Sequence, residues 1–384
     1  MSDWERRLYL TAHPLAYPLL RGLARVGPAV RVPGLGIVVN DAALARAVLL
    51  DGEGFRKDGP GSPGDLWTPI LGPSVLLNME GGPHRALRRR LTELFTASST
   101  AALCARVLDA PLKALAGRLE RGEAVDLVDT MRVMAGAVIC EVIGLPDIDE
   151  AACREMFENG ERIVAMVKLR TRTLNPAQVA RARRVLEPIG DVAARSFHRG
   201  DETTVMGRMR ALGLSEAEAR GAAGAFFLTG TETVATLVPR LVALLHDTGE
   251  LARVAADPSL LDAAIDEAMR VTTPTPVMLR SVHAERAIGP VTARPGDRVL
   301  IATHNCCRAL GPFALDGAPG KAELRRLWFG AGPHFCIGYP LALAEIRAVT
   351  ETVLRHAPVR VVSRRAARGV LIPTYAELTI RKAP

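Results

Sequence analysis

The sequence predicts a mainly α-helical fold with a minor β part, built as a single domain over residues 1–384. Three observations point there. Apolar residues recur at helical spacing through most of residues 80–270, as in Leu87, Leu91, Leu94 and Phe95, or Val138 and Val142. Strand-like runs are confined to the first forty residues and to the chain beyond Arg270. No internal repeat, low-complexity block or obvious linker divides the chain, although its length alone would allow two or three domains.

Taken in order, residues 29–40 hold β-branched runs around Pro33-Gly34 and predict a small hairpin, and residues 41–50 return to helical composition. Residues 57–76 are rich in Gly and Pro and read as a long loop, a length at which loops are often functional. Helices covering 150–205 follow. Residues 215–247 form the longest helix candidate, with Ser215 and Glu218 as a capping box. Pro239 lies inside that pattern and should kink or interrupt it. Beyond Arg270, strand-like pieces such as residues 298–302 appear, helix returns at 340–356, and the tail 358–381 reads as strands.

Composition excludes several classes. With 48% hydrophobic and 23% charged residues, disorder is not expected. Only 4% of residues are aromatic, so the core rests on Leu, Val and Ala. Lys plus Arg is 49 against 41 for Asp plus Glu, a net charge of +8. That excess is a solvated basic surface or a match for an acidic protein partner. Nucleic-acid binding is not expected, because no basic run is interleaved with aromatics. The six cysteines (Cys104, Cys140, Cys153, Cys306, Cys307 and Cys336) lack disulfide-scaffold spacing and predict free thiols in a reducing cytoplasm. Adjacent Cys306 and Cys307 invite a metal reading, but no Cys/His set completes it, so they read as buried thiols. The opening Met1-Ser2-Asp3-Trp4-Glu5 is not the basic start of a secretory signal. No stretch reaches the roughly 18 uninterrupted apolar residues of a membrane span.

Residues 329–338 carry the clearest chemistry: Phe-Gly-Ala-Gly-Pro-His-Phe-Cys-Ile-Gly. A lone cysteine is more often a small buried hydrophobe than a ligand. Here Gly330, Gly332 and Gly338 let the backbone turn and lie against a flat ligand. A helix starting at Pro340 places Cys336 just before its N-terminus, where the dipole and free N–H groups favour thiolate. A phosphate loop is the rival, but no Gly-x-Gly-x-x-Gly or Lys-Ser/Thr pattern completes it.

This string resembles, at every fixed position, the haem-binding loop of the cytochrome P-450 family, Phe-Gly-x-Gly-x-His-x-Cys-x-Gly. The resemblance implies that Cys336 is the axial thiolate ligand of haem b (iron protoporphyrin IX), with Phe329 beside the sulfur and His334 near a propionate. Thiolate ligation favours O–O cleavage. Residues 229–234, Thr-Gly-Thr-Glu-Thr-Val, are similar to the family's acid–alcohol motif. Alone, Glu-Thr in a helix is almost always a solvated pair, but this helix is otherwise apolar and a buried carboxylate needs a reason. Gly230 and Thr233 share a helical face, and a hydroxyl at 233 can bond back to a carbonyl one turn earlier. By resemblance, Thr233 and Glu232 deliver protons to the oxygen being activated.

Glu267-Ala268-Met269-Arg270 is too common a pattern to count alone, yet it stands about 70 residues before the loop, as the family requires. The resemblance makes Glu267 and Arg270 a structural pair. It also supplies propionate partners: His84 and Arg88 at i, i+4, Arg280, His334, and Arg326 where many relatives have His. Singly each would be a surface residue; as an ordered set they are not. The resemblance runs from about residue 30 to the C-terminus and implies the cytochrome P-450 fold, with haem between the long central helix and the cysteine loop. There are departures. Cys307-Arg308-Ala309-Leu310 stands where relatives carry Asn-Arg-Asp-Pro, the 311–325 loop is short, and the arginine completing the Glu-x-x-Arg network is unplaced, with Arg325 as a candidate.

The implied reaction is insertion of one atom of O2 into a small apolar substrate. Electrons would come from a ferredoxin or flavodoxin-like donor, since the chain has no flavin or iron–sulfur motif. A haem-thiolate isomerase or dehydratase would often lose the Glu232-Thr233 pair, and a non-catalytic haem or ligand carrier would need neither. Specificity would rest on residues 57–76, 150–205 and Thr275 to Leu279.

Overall fold

In the computed structural model, which describes residues 3–145, 148–316 and 324–383, local signals set the helix starts. Asp41, Asn175 and Ser215 each accept an amide hydrogen from the first turn they precede, and the last two form capping boxes.

Helices α1 (Asp3–Ala12) and α2 (Ala16–Val26) precede the hairpin of β1 (Ala29–Val32) and β2 (Gly36–Val39). Then come α3 (Ala42–Leu50), β3 (Phe55–Arg56), α4 (Pro63–Leu71), α5 (Gly81–Thr92) and α6 (Ala97–Glu120). The middle of the chain holds β4 (Val125–Asp126), α7 (Leu127–Val142), α8 (Glu150–Val164), α9 (Pro176–Arg199) and α10 (Val205–Ala211). The central pair is α11 (Glu216–Gly230) and α12 (Glu232–Thr248), followed by α13 (Leu251–Ala256) and α14 (Leu261–Thr272). Strands β5 (Met278–Val282), β6 (Arg286–Ile288), β7 (Val291–Ala293) and β8 (Arg298–Ile301) lead to α15 (Thr303–Arg308) and α16 (Tyr339–Arg355). Strands β9 (Val359–Ala366) and β10 (Tyr375–Lys382) close the chain.

The largest sheet runs β1-β2-β8-β5-β3, antiparallel except where β2 lies parallel to β8, with Val38 opposite Leu300. A three-stranded sheet runs β4-β10-β9, and β6 pairs with β7. The core is continuous: α12 is buried nearly all round and packs on α7, α14 and α16, while α16 also packs on α6. That burial explains its mainly apolar composition. The segment Glu216–Thr248 is apolar enough to cross a membrane by length and composition, but 83% of its apolar window is buried, as in a core helix. Arg240 of α12, fully buried, pairs with Glu5 at 2.5 Å and fastens α1 onto the core.

Two expectations need correction. The 57–76 stretch is not all loop, because α4 forms inside it. Pro63 occupies the first turn, where its missing N–H costs nothing, and Leu66 and Leu71 anchor the helix inward. The long helix is interrupted at Thr231, not at Pro239, which lies within α12. The hydroxyls of Thr229, Thr231 and Thr233 donate to the carbonyls of Ala225, Phe227 and Thr229, competing with the backbone for these acceptors. Of the loop expected at 311–325, residues 317–323 lie outside the described residues.

Candidate active site

The cysteine loop owes its shape to two glycines. Gly330 (φ +83) and Gly332 (φ +65) sit in the left-handed region, whereas Gly338 (φ −79) does not need to be glycine for its backbone. The Cys336 amide donates to the Phe329 carbonyl at 2.9 Å, closing the loop three residues before α16 begins. Burial pushes the Cys336 thiol up, against the amides of Gly338 and Tyr339 and the charges of Arg88 and Lys57, which pull it down. The helix terminus alone therefore does not secure a thiolate, contrary to what the sequence led us to expect. A thiolate at this depth needs a cation facing the sulfur.

Cys336 lines a cavity of about 1120 Å³ between this loop, α5, α4 and the junction of α11 and α12. Leu66, Trp67, Phe95, Phe226 and Leu237 give it an apolar wall. One rim carries basic side chains, the arginines charged and the imidazoles neutral. Arg88, Arg280, His84 and His334 all line it, as does Lys57, which the sequence did not single out. Among the described residues, Arg88 and Lys57 have no side-chain hydrogen bond or ion pair, and Arg280 donates only to the Leu279 carbonyl at 2.7 Å. Burial lowers Lys57 to about 7, helped by the Arg280 charge, and lowers His84 to about 4 and His334 to about 3. The two imidazoles lie 4.1 Å apart, with His334 Nε2 at 3.0 Å from the Glu80 carboxylate. His84 Nε2 and Trp328 Nε1 are buried without a partner. Cations and donors left facing an apolar cavity call for a flat apolar ligand with anionic groups at one edge, which is the chemistry of haem and its propionates.

Arg326 is not part of this rim. Its guanidinium lies over the Tyr339 ring at 4.7 Å, outside the cavity lining, because its left-handed backbone (φ 55) turns it there. Lys57, Glu80 and Trp328 were missed. None belongs to a recognisable spacing, and only the fold brings Lys57 and Trp328 to the rim and Glu80 beside His334.

At the junction of α11 and α12, Gly230, Glu232 and Thr233 all line the same cavity. The Thr233 hydroxyl donates to the Thr229 carbonyl at 2.9 Å. A Cβ at Gly230 would meet Ile139 Cδ1 at 2.5 Å, so the crossing of α7 adds its own demand for glycine. Glu232 is 4% exposed, and its Oε1 lacks a partner. Burial raises its carboxyl to about 8, with Glu161 adding to the rise and Arg132 opposing it. Glu161 and Arg132, 3.7 Å apart and partly exposed, continue from Glu232 towards solvent.

Glu267 and Arg270 form a two-bonded pair at 2.6 and 2.7 Å. Arg270 also donates to the carbonyls of Cys307, Gly311 and Pro312, and Glu267 accepts from the Ala314 amide. The pair thus clamps the chain ahead of the cysteine loop. Arg325 does not complete this network: it is exposed, and its carbonyl accepts from Arg46. Backbone carbonyls fill the role that a third side chain was expected to play. Cys306 and Cys307 are buried thiols, and no metal-ligating cluster of three or more His, Cys, Asp or Glu occurs among the described residues.

No family profile matches the chain. It is 30% identical over 299 residues to the C-19 steroid 1alpha-hydroxylase of Sorangium cellulosum, covering 74% of each chain. It is 28% identical over 393 residues to the mycinamicin IV hydroxylase/epoxidase of Micromonospora griseorubida, covering 91% of this chain and 92% of that one. Among solved structures, a mutant of P-450 EryK in complex with erythromycin B superposes with a TM-score of 0.81 at 22% identity, over 97% of this chain and 98% of that one.

Proposed function

This chain belongs to the cytochrome P-450 family of haem-containing monooxygenases, and from that premise we propose that it inserts one atom of O2 into a small apolar organic molecule, by hydroxylation or epoxidation. The observation that carries this reading is one apolar cavity of about 1120 Å³ whose lining brings together Cys336, Glu232 and Thr233. Bound haem b would supply O2 activation, with the Cys336 sulfur as its electron-donating ligand. Cys336 would hold the iron. His84, Arg88, Arg280 and Lys57 would hold the propionates, with Trp328 Nε1 as a further donor.

Glu232 keeps its proton at neutral pH because burial raises its carboxyl to about 8. It is therefore an acid in position, not a stray charge. Thr233, whose own proton is engaged by the Thr229 carbonyl, has lone pairs to accept and orient a proton donor. Glu161 and Arg132 can resupply Glu232 from solvent without opening the apolar wall. That wall excludes bulk water and orients an apolar substrate. An isomerase or dehydratase would not need this acid and hydroxyl, which weigh against those alternatives. We assign the chain to the cytoplasm. The electron donor in this reading is a small acidic ferredoxin or flavodoxin-like protein.

The test is spectroscopic. The reduced carbon monoxide complex should show the red-shifted Soret band of thiolate ligation, and Cys336→Ser should abolish it. An unchanged band in that variant would overturn the assignment. Ligand-induced shifts of the same band, scanned across terpenoids, steroids, polyketides and fatty acids, would identify the substrate class.

A further inference from the structure

Arg298, the first residue of β8, is a buried cation without an anion. It is 2% exposed, and among the described residues no carboxylate lies within ion-pair distance of it. Its Nε, Nη1 and Nη2 donate to the carbonyls of Gly61, Leu169 and Thr171 at 3.0, 3.1 and 2.9 Å. Burial lowers Arg298 to about 10, and the neighbouring charge that bears on it, Arg172, is also positive. It stays protonated at neutral pH. A clamp on three carbonyls needs the donors but not the charge, and a buried charge is ordinarily paired. Three of the five guanidinium N–H groups are used, leaving one on each terminal nitrogen, a match for the two oxygens of a carboxylate.

Arg298 lines the cavity that also holds Cys336. The sheet register separates it from the propionate rim. Arg280 of β5 stands opposite Val299 and Ser281 opposite Arg298, so the two arginines lie on opposite faces of the sheet. Arg298 shares its face with Leu279 and Leu300, and Leu20 and Leu169 pack in the same apolar cluster. Leu20, Leu169 and Leu279 line the cavity as well. An anion on Arg298 therefore does not compete with the haem for Arg280, and its carbon skeleton starts among leucines. The exposed Lys168 and Arg170, which flank Leu169, also line the cavity, and residues 162–186 hold no acidic residue to offset them.

We propose that Arg298 anchors a carboxylate and that the substrate is a monocarboxylic acid with an apolar carbon skeleton. This rests on the reading of the cavity as the substrate site of a haem monooxygenase, and it narrows the substrate class within that reading. The carboxylate supplies the missing counter-charge, and the leucines of the same sheet face take the first carbons. A neutral substrate of the same shape would leave the buried guanidinium uncompensated. Because the pair is enclosed, salt should screen it far less than it screens the exposed cations.

The test uses the haem-loaded full chain and the shift of its Soret band on ligand binding. Hexadecanoic acid and cholanic acid, one linear and one polycyclic, are each compared with their methyl esters at neutral pH. At least one acid should bind roughly tenfold to a hundredfold more tightly than its ester, the range of a hydrogen bond to a charged group. Arg298→Gln, which keeps a neutral donor for the carbonyls, should weaken the acid to the level of the ester and leave the ester unchanged. Arg298→Lys should keep part of the preference, and it carries the comparison where Arg298→Gln does not load haem. Lys168→Gln with Arg170→Gln should leave the preference in place. Acids that bind no more tightly than their esters, or not at all, overturn the proposal, as does a preference that survives Arg298→Gln. A preference lost with Lys168 and Arg170 instead assigns the effect to surface charge and also overturns it. The reduced carbon monoxide spectrum, recorded on every protein, separates the two readings: loss of the red-shifted band in the wild type defeats the haem assignment, whereas a normal band without acid preference defeats this proposal alone.

Discussion

Two buried carboxyls set the pH response at the residue scale. Glu345 of α16 is 2% exposed, its Oε1 has no partner, and burial alone raises it to about 8, alongside Glu232. Their ordinary value is 4.5, so between there and about 8 the folded chain keeps protons that the unfolded chain has lost. Rising pH therefore favours unfolding across that window, by up to ~1.4 kcal/mol per pH unit for each group. The lowered imidazoles of His84 and His334 act in the opposite sense below about pH 6.5, and the lowered Lys57 above about pH 7, so the carboxyl contribution is read by comparing variants. In thermal unfolding of the haem-loaded protein across about pH 5–8, Glu345→Gln should gain stability relative to wild type as pH rises; a difference that does not change with pH would show that Glu345 is not protonated in the fold. Thr233→Ala tests a separate point. It should keep haem and fold but divert electrons to free hydrogen peroxide, with product formation down by up to ~10²–10⁴-fold and less where water substitutes. Full coupling of electrons to product would make Thr233 a packing residue. Glu232 and Thr233 were legible in the sequence because polar residues interrupt an apolar helix. Lys57 was not, since a lysine in a Gly- and Pro-rich stretch carries no sign of which cavity it enters.

Elements whose signals are local could be read directly. The β1–β2 hairpin, α3, α16 and the terminal strands β9 and β10 all fall where periodicity and turn residues placed them. Tertiary effects could not be read. The interruption between α11 and α12 depends on three threonine hydroxyls bonding back to the chain, and Pro239 is tolerated within a helix packed on three others. The Glu267–Arg270 pair is another case: the spacing announced the pair, but its partners are backbone carbonyls of a chain segment some forty residues on. Removing one member leaves a buried charge and three orphaned acceptors. Arg270→Ala should cost about 3–5 kcal/mol and yield protein poor in haem. Glu267→Gln, which keeps hydrogen-bonding capacity, should cost less. Haem content per chain and the unfolding midpoint measure both, and a haem-replete, fully stable Arg270→Ala protein would remove the clamp from the account.

At the scale of the whole molecule the net charge of +8 is unevenly placed. On the cysteine side, several arginines are engaged. Arg88 lines the cavity, Arg90 donates to the Leu212 carbonyl, Arg326 lies over Tyr339, and Arg347 pairs with Asp262. Arg85 and Arg89 remain exposed, one turn apart on α5, the helix whose inner face carries His84 and Arg88. They are the cations best placed to steer an acidic electron donor towards the haem edge. Steering acts on the encounter rate more than on affinity and is screened over roughly 8–10 Å at physiological salt. Reduction of the haem by a ferredoxin should therefore slow as ionic strength rises, and Arg85→Glu with Arg89→Glu should slow it at low salt and flatten that dependence. A second set of exposed cations, Lys168, Arg170 and Arg172 on the connection from α8 to α9, supplies the control. Reversing them changes the net charge by more than the α5 pair does, on a different element of the chain. If the two reversals slow reduction equally, only total charge matters and no docking face exists on α5. If the α5 pair alone matters, the donor approaches the face that Arg85 and Arg89 present on α5.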